Sequence, residues 1–360
     1  MNIGILTFHQ AINFGAVLQA YGLQEALRQK GHSAAIIDYS PYWVTRKRGG
    51  LLFNAKQAVK SLLRYPISNT RAKRFGEFGR KYLNVRSLDL QQTSNDYDAF
   101  ILGSDQIWNP RITANHFDAN YFGQFPAAQD KLTIGYAGSV GAISNLTAGA
   151  DLSAEFIALT GKMNAVSARE TELNDFLNTH GVRSELVLDP VLLAGRQCFD
   201  TILPPPPKAT EPYLLLFQID YNPKVVALAH HIASQLGLKV KEIIPQEIIL
   251  SKPWANQCVS PTDLVSLVRS AAYVVSGSFH ATAFSLLYHR PVTVYENKER
   301  SNRMHHLLSI AGMTERLTND ADVRPTKEEL MRAIDCATVD ANLEAARRTS
   351  MQFLQNALTQ

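Results

Sequence analysis

The sequence predicts an α/β protein built from two Rossmann-like halves. Short apolar runs typical of buried strands alternate with helical segments in both halves of the chain, and this alternation favours parallel sheets. Four consecutive prolines, residues 204–207, interrupt the pattern and suit an interdomain linker. The length of 360 residues is ordinary for two domains.

The first half alternates strands and helices from its first residues. A helix over residues 15–30 is expected to end at Gly31, because glycine is a typical helix stop. Predicted strands lie at residues 3–7, 33–38, 98–103 and 133–137, and short segments at 165–167 and 184–188 continue the pattern.

The second half restarts the same alternation. Strands are predicted at residues 213–218, 239–244, 271–275 and 292–295, and helices at 223–236 and 261–270. We therefore divide the chain into an N-terminal domain (1–203) with a basic helical insertion (41–95), a C-terminal domain (208–339), and a last helix (340–360) that packs back toward the N-terminal domain.

The segment from residue 271 to residue 287 has the most informative local pattern. An apolar strand leads into the turn 276–278, and a helix-like apolar segment follows. A strand–turn–helix unit of this kind points backbone N–H groups toward the carboxyl edge of a parallel sheet, where an anion binds. His280 lies at the start of the helix and is expected to face the same place.

A basic segment covers residues 46–81. It holds eleven Lys and Arg residues against one acid, Glu77, whereas the whole chain has a net charge of only +4. Apolar residues recur among the charges at near-helical spacing, which predicts an amphipathic helix or helical pair. Such a face suits anionic lipid or a phosphorylated substrate, and a solvated insertion explains the pattern equally well. Nucleic acid is disfavoured, because no matching motif accompanies the charge.

The composition argues against several classes of protein. The first residues lack the features of a secretory signal, and no run approaches the length needed to span a bilayer. We therefore expect a soluble cytoplasmic protein, with peripheral contact at the inner face of an anionic membrane as the open alternative. Neither the histidines nor the cysteines show metal-binding spacing. We expect no metal, no cofactor and three inert thiols, at Cys198, Cys258 and Cys336.

Five segments in order resemble the polysaccharide pyruvyl transferase family. They are residues 4–21, the Gly-Ser-Asp-Gln-Ile-Trp-Asn segment at 103–109, the turn at 167–170, Leu-Asp-Pro at 188–190 and Ser-Phe-His at 278–280. Each alone is a weak signal, whereas the five together are specific at the level of the family. The similarity extends to about Gly312.

The resemblance implies a GT-B-like pair of Rossmann-like domains that face each other across a cleft. It implies a transferase that moves a pyruvyl group from phosphoenolpyruvate to hydroxyls of a sugar, forming a pyruvate ketal on a cell-surface polysaccharide or its lipid-linked precursor. Phosphoenolpyruvate carries a phosphate and a carboxylate, so N–H donors and guanidinium groups are expected around it.

The C-terminal domain is the expected donor side. The donor-binding candidates are Ser276, Gly277 and Ser278 in the turn, and Arg303, whose segment resembles a family segment near the cleft. Members that resemble this motif carry arginine two residues before the histidine, where this chain has Ser278. One donor-binding charge is therefore missing, or Arg169, Arg290 or Arg303 supplies it, or this branch of the family uses another donor.

Ketal formation needs at least one general acid/base. His280 is our candidate, because a helix N-terminus disfavours its protonation and a bound dianion favours it, which suits proton exchange near neutral pH. Arg169 is the second catalytic candidate, and a surface ion pair with Glu170 is its alternative role.

The N-terminal domain is the expected acceptor side. Two turns supply the candidates Asn13, Phe14, Gly15, Asp105, Gln106 and Trp108. The first turn also suits capping of a helix. The second brings a carboxylate, an amide and an indole face, which suit a pyranose, although Trp108 equally fits a core position. A nucleotide-sugar glycosyltransferase and a catalytically silent glycan-binding protein are the alternative functions.

Overall fold

The computed structural model describes residues 1–41, 55–113, 115–147, 150–205, 211–244, 248–296 and 303–360. In these residues the chain forms two Rossmann-like domains, each with an all-parallel sheet. The leucine-, isoleucine- and valine-rich strands are buried almost throughout, as is typical of a parallel sheet covered on both faces.

The N-terminal domain contains a seven-stranded sheet in the order β3-β2-β1-β4-β5-β6-β7. Strand order changes direction beside β1, so the loops after β1 and β4 meet at a topological switch point. The strands are β1 (Asn2–Leu6), β2 (Ser33–Ile37), β3 (Val85–Arg86), β4 (Ala99–Leu102), β5 (Leu132–Gly138), β6 (Ala165–Ala168) and β7 (Ser184–Leu186).

The C-terminal domain contains a five-stranded sheet in the order β12-β11-β10-β8-β9. Its order reverses between β8 and β10, which creates a second switch point. The strands are β8 (Tyr213–Phe217), β9 (Lys239–Ile243), β10 (Tyr273–Ser276), β11 (Val292–Tyr295) and β12 (Leu317–Thr318).

Helices connect the strands in both domains. Several begin at side chains that accept a hydrogen bond from the first turn, including Asn13, Asp189 and Ser260. The helices are α1 (Phe14–Gln29), α2 (Ala55–Tyr82), α3 (Ser144–Thr147), α4 (Ala150–Thr160), α5 (Thr171–Thr179), α6 (Pro190–Asp200), α7 (Pro223–Leu236), α8 (Trp254–Gln257), α9 (Pro261–Ser270), α10 (Phe279–Leu287), α11 (Arg303–Ala311), α12 (Lys327–Leu330) and α13 (Cys336–Leu358).

Helix α6 joins the two domains. It packs against α1 on one side and α10 on the other. Phe199 of α6 makes edge-to-face contacts with Tyr21 and Phe284, at centroid distances of 5.6 and 4.9 Å. All three rings are almost fully buried, so the domains share one continuous apolar cluster at this point.

The last helix, α13, contacts both domains. It packs against α11 of the C-terminal domain. Toward the N-terminal domain, Ser350 Oγ accepts a hydrogen bond from Leu188 N at 2.9 Å, and Arg347 Nε donates to Leu192 O at 3.0 Å. The chain therefore returns across the junction between the domains before it ends.

Helix α2 contains the later part of the basic segment. Its C-terminal half contacts the N-terminal domain, where Phe75 packs against Phe14 at 5.0 Å. Arg71 is buried and donates to Gln257 O and Ile244 O of the C-terminal domain, at 2.6 and 2.7 Å. This helix therefore bridges the two domains.

Some residues of the sequence predictions lie outside the described part of the chain. They are Arg46, Lys47, Arg48, Leu51, Leu52 and Phe53 of the basic segment and two of the four linker prolines, Pro206 and Pro207. Among the helices that the structure describes, none has the length and apolar character required to cross a bilayer.

Candidate functional site

A cleft of about 1070 Å³ lies where the carboxyl ends of the two sheets face each other. The loops after β1 and β4 line one side, and the loops after β8, β10 and β11 line the other. Both switch points therefore open into the same space, where ligands of such sheets bind. A cleft of this size is at the upper end of the range for small-molecule sites.

His280 lies on the floor of this cleft, in the first turn of α10. Its Nε2 is 3.6 Å from Asp189 Oδ2, and its side chain is 13% exposed. The opposite edge of the ring packs against Gly15, where an added Cβ would overlap Nδ1 and Cε1. The imidazole is thus held between two residues of the N-terminal domain, although it belongs to the C-terminal one.

Asp189 is the fully buried partner of His280. Its Oδ1 accepts a hydrogen bond from Val191 N at 2.9 Å at the start of α6, and its Oδ2 accepts one from Arg169 Nη1 at 2.8 Å. Burial by itself raises the pKa of this carboxyl, but the charges of His280 and Arg169 and the N–H of Val191 outweigh it, so the pKa lies well below its usual range. Asp189 is therefore a carboxylate.

Arg169 extends this set of charges beyond Asp189. Its Nε donates to Glu170 Oε1 at 3.2 Å, and Ser139 Oγ donates to the same oxygen at 2.9 Å. Burial lowers the pKa of Arg169, but the nearby carboxylates reverse this effect and raise it above its usual value. We call the set Ser139, Glu170, Arg169, Asp189 and His280 the ionic chain.

The burial of the Arg169 side chain decides between the two roles considered for it. The residue is 4% exposed, so a surface ion pair with Glu170 is the wrong description. It lines the cleft, but its charge faces two carboxylates in direct contact. Arg169 is placed to hold Asp189 rather than to offer an uncompensated charge to a donor anion.

The turn before α10 presents backbone to the cleft. Gly277 and Ser278 line the cleft. A Cβ on Gly277 would lie 2.8 Å from Tyr295 O, so only glycine allows this close approach of two backbones. The N–H groups at the start of α10 and its positive dipole end make this edge suitable for an anion.

The predicted acceptor turns also reach the cleft. Asn13 caps α1 by accepting a hydrogen bond from Ala16 N at 3.3 Å and lines the cleft as well. Asp105 and Gln106 line the same side. Asp105 has a φ of 72° and accepts a hydrogen bond from Gln106 N at 2.8 Å. A left-handed non-glycine residue at a cleft is typical of a functional position.

The comparisons with known proteins identify the family. The family model for polysaccharide pyruvyl transferase matches residues 13–299, which include the cleft-lining turns of both domains up to β11 and the whole ionic chain. The chain belongs to the polysaccharide pyruvyl transferase family. It is therefore a transferase of a family that modifies polysaccharides.

Two solved structures were found to be similar to this pyruvyl transferase family member, one of them at a TM-score that supports a shared fold. The S. aureus MnaA-UDP structure has 10% identity and a TM-score of 0.50 and covers 100% of this chain and 98% of its own. The UDP-GlcNAc 2-epimerase of Neisseria meningitidis, bound to UDP-GlcNAc, has 11% identity, a TM-score of 0.47 and coverages of 97% and 94%. No curated protein sequence matched the chain. The GT-B-like arrangement of two Rossmann-like domains is confirmed.

Trp108 does not occupy the acceptor position suggested by the sequence. It is fully buried, its Nε1 donates to Tyr121 O at 3.0 Å, and its ring stacks on Phe122 at 5.6 Å. Gly135 and Gly138 in β5 leave the space that the indole fills. Trp108 therefore occupies the core position, which the sequence had left open as its alternative, in this member of the pyruvyl transferase family.

Ser276 also lies elsewhere than the sequence predicted, which was at the donor site. Its side chain is fully buried and does not line the cleft. Its Oγ donates to Phe217 O at 2.8 Å and accepts from Ser278 N at 3.0 Å. Ser276 fixes the turn that presents Gly277 and Ser278, and it does not reach a ligand itself.

The charge missing at Ser278 is not supplied by Arg290. That residue follows the C-terminal end of α10 and does not line the cleft, whereas Arg303 does. Arg111 also lines the cleft and was not predicted. Its signal in the sequence is its position two residues after the 103–109 segment.

Two side-chain amides of the cleft, those of Asn109 and Asn145, were not predicted as site residues. Asn109 Nδ2 donates to Gln106 Oε1 at 2.7 Å, and Asn145 Nδ2 lies 3.4 Å from Asn109 Oδ1. Both residues line the cleft. In the described ranges, the His, Cys, Asp and Glu side chains form no group of three that could hold a metal ion.

Proposed function

We propose that this protein transfers the pyruvyl group of phosphoenolpyruvate to two hydroxyls of a sugar, forming a pyruvate ketal. The observation that supports this most is the pairing of His280 with the buried Asp189 on the floor of the cleft, in a member of the polysaccharide pyruvyl transferase family. A general acid/base is held beside a helix N-terminus that suits an anion.

The reaction moves two protons. One sugar hydroxyl adds to the central carbon of phosphoenolpyruvate while the methylene carbon takes a proton and becomes a methyl group. The second hydroxyl then displaces phosphate from the same carbon. Each hydroxyl gives up one proton; one proton ends on the methyl group and the other leaves with phosphate.

His280 is the group proposed to exchange these protons. Asp189 lies at its Nε2, so Nδ1, on the Gly15 side, is left for exchange. Asp189 acts by orienting the imidazole, in the way that a buried carboxylate orients a catalytic histidine. Arg169 in turn holds Asp189.

Phosphoenolpyruvate is proposed to bind at the start of α10. Backbone N–H groups in the first turn of α10 would meet its phosphate or carboxylate, whereas the N–H of Ser278 already donates to Ser276 Oγ. Arg303 and Arg111 line the cleft and add positive charge. The guanidinium groups therefore come from positions other than 278, where this chain has serine.

A thermal-shift comparison of donors tests this proposal. Phosphoenolpyruvate should raise the Tm of the protein, because a ligand that binds only the folded state stabilises it. Arg303→Ala should reduce the shift, and the exposed Arg64→Ala, outside the cleft, should not. Stabilisation by UDP and not by phosphoenolpyruvate would favour a nucleotide-sugar glycosyltransferase instead.

We also propose that α2 makes peripheral contact with anionic membrane. Leu62, Leu63 and Tyr65 are 73%, 55% and 61% exposed, and Arg64 between them is exposed as well. Each Lys or Arg near an anionic surface contributes about 1 kcal/mol, and inserted leucines add an apolar contribution. The lipid-linked form of the acceptor would bring the enzyme to this surface.

Vesicle sedimentation tests the membrane contact. Vesicles that contain anionic lipid should sediment the wild type at low ionic strength. The Lys56→Glu, Lys60→Glu and Arg64→Glu triple variant and the Leu62→Ser, Leu63→Ser double variant should remain in solution. Equal sedimentation of all three proteins, or of none, would mean that this part of α2 is a solvated insertion.

A further inference from the structure

The cleft wall at the ends of β8 and β11 holds two buried polar side chains with incomplete hydrogen bonding. Gln218 follows β8 and Glu296 follows β11, and each is 7% exposed and lines the cleft. Within the described residues, Gln218 Nε2 and Glu296 Oε1 have no hydrogen-bond partner. Unpaired buried groups of this kind are rare, because each costs about 1–3 kcal/mol.

The remaining atoms of both side chains are already engaged. Gln218 Oε1 accepts a hydrogen bond from Asn222 N at 3.0 Å, which fixes the orientation of the amide and leaves its NH₂ group to donate. The backbone N–H of Met304, at the start of α11, favours the charged form of Glu296 and so lowers its pKa, against the effect of burial. One wall thus offers a donor and an acceptor, both held in place.

The strand order sets the separation of these two groups. Strand β10 lies between β8 and β11, so Gln218 and Glu296 follow strands that are two spacings, about 10 Å, apart, and the register places Glu296 one residue further along its strand than Gln218. A single sugar ring with hydroxyls on opposite sides bridges such a gap when each hydroxyl makes a hydrogen bond of about 2.8 Å.

The chemistry of this wall suits a neutral ligand. Asp220 lines it together with Glu296, and these two acidic side chains offset part of the charge of Arg303 near Glu296, so this wall favours a phosphate or a carboxylate less than the start of α10 does. Burial raises the pKa of Glu296 in spite of the Met304 N–H and the charges of Arg303 and His305. Tyr221, 39% exposed, adds an aromatic face against which the C–H groups of a sugar can pack.

We infer that this wall is a subsite for one neutral pyranose unit of the acceptor saccharide. Gln218 donates to one ring hydroxyl, Glu296 accepts from another, and Tyr221 packs against the ring. The inference rests on the proposed function and adds to it, because it places part of the acceptor on the C-terminal domain. The sequence predicted acceptor contacts on the N-terminal domain alone.

Saturation-transfer NMR with the full chain tests the subsite. The probes are the methyl glycosides of glucose, galactose, mannose and N-acetylglucosamine. We expect the wild type to bind at least one of them, and Gln218→Met, Glu296→Gln and Tyr221→Ala each to weaken its affinity about fivefold. Trp254→Ala is the matched control, since Trp254 is exposed on α8, outside the cleft, and should leave the affinity unchanged.

Three results would overturn the inference. The first is that the wild type binds none of the glycosides. The second is that Gln218→Met and Tyr221→Ala bind the glycoside with unchanged affinity. The third is that the wild type binds UDP and no glycoside, and that the same two variants abolish the binding of UDP. The thermal shift with phosphoenolpyruvate is measured on each protein in parallel. A variant that loses glycoside binding but keeps the thermal shift with phosphoenolpyruvate supports the subsite. A wild type that binds a glycoside but not phosphoenolpyruvate contradicts the proposed donor and leaves the subsite standing.

Discussion

Gly15 and His280 come from different domains and touch on the floor of the cleft. The Gly15→Ala variant should push the imidazole away from Asp189, because the added Cβ would overlap Nδ1 and Cε1. A small displacement of a catalytic group costs about 100-fold in rate. We expect a loss of this size in kcat/KM for phosphate release from phosphoenolpyruvate with a saccharide present.

Gly79→Ala is the matched control for this substitution. Gly79 lies within α2, and a Cβ there meets no atom within 4 Å. Alanine favours helix over glycine by about 1 kcal/mol, so this variant should be fully active. Full activity of Gly15→Ala would mean that the position of the His280 ring is unimportant for the reaction.

Asp189 should make stability depend on pH. Its pKa is lower in the folded protein than in the unfolded chain, because His280, Arg169 and the Val191 N–H outweigh the effect of burial. The stabilisation is therefore fully present above the unfolded value, about pH 4, and is lost as the pH falls toward the lowered folded value.

Asp189→Asn should remove this part of the acid dependence. Urea unfolding of the wild type and the variant between pH 6 and 3 measures it: the variant should be less stable at pH 6, by about 3 kcal/mol, because Arg169 loses a buried ionic partner. The difference should shrink as the pH falls. A difference that stays constant with pH would mean that Asp189 has an ordinary pKa.

At the scale of elements, α2 connects the two domains through one buried cation. Arg71→Met would leave the carbonyls of Gln257 and Ile244 without this donor. Two lost hydrogen bonds to a charged group predict a Tm lower by about 5 °C or more. The exposed Arg64→Met on the same helix should change it little, and an unchanged Tm in Arg71→Met would show that these bonds do not stabilise the fold.

Local signals predicted several elements to the residue. Helices Pro223–Leu236 and Pro261–Ser270 match because each has a proline in its first turn after an Asn or Ser cap. Strand Val292–Tyr295 matches as an apolar run between turn residues. The bridging contacts of α2 were not predicted, because helical periodicity does not show which charged residue becomes buried against another domain.

The sequence predicted the site only in part, because local patterns do not show how distant parts of the chain pack together. His280, Gly15 and Asp105 follow strand ends, and the carboxyl edge of a parallel sheet faces the ligand. Trp108 also follows a strand, yet it is in the core because two glycines of β5 make room for it. The pairing of Asp189 with His280 depends on how the domains pack, which no local pattern contains.

At the scale of the whole molecule, the site requires both domains. The N-terminal domain supplies Gly15, Asp189 and Arg169, and the C-terminal domain supplies His280 and the N-terminus of α10. The two switch points face each other because α6 packs between α1 and α10. The contact between His280 and Asp189, which completes the ionic chain, therefore forms only when the domains are docked.

One measurement tests the central claim most directly: phosphate release from phosphoenolpyruvate with and without saccharide acceptors, in the wild type and in His280→Gln. The wild type should release phosphate only when an acceptor is present, and the saccharide should gain a pyruvate ketal detectable by mass spectrometry. His280→Gln should fold normally and lose this activity, and His230→Gln, at an exposed position of α7, should retain it. Wild-type turnover that survives in a folded His280→Gln protein, or the absence of acceptor-dependent phosphate release across a broad saccharide panel, would contradict the account.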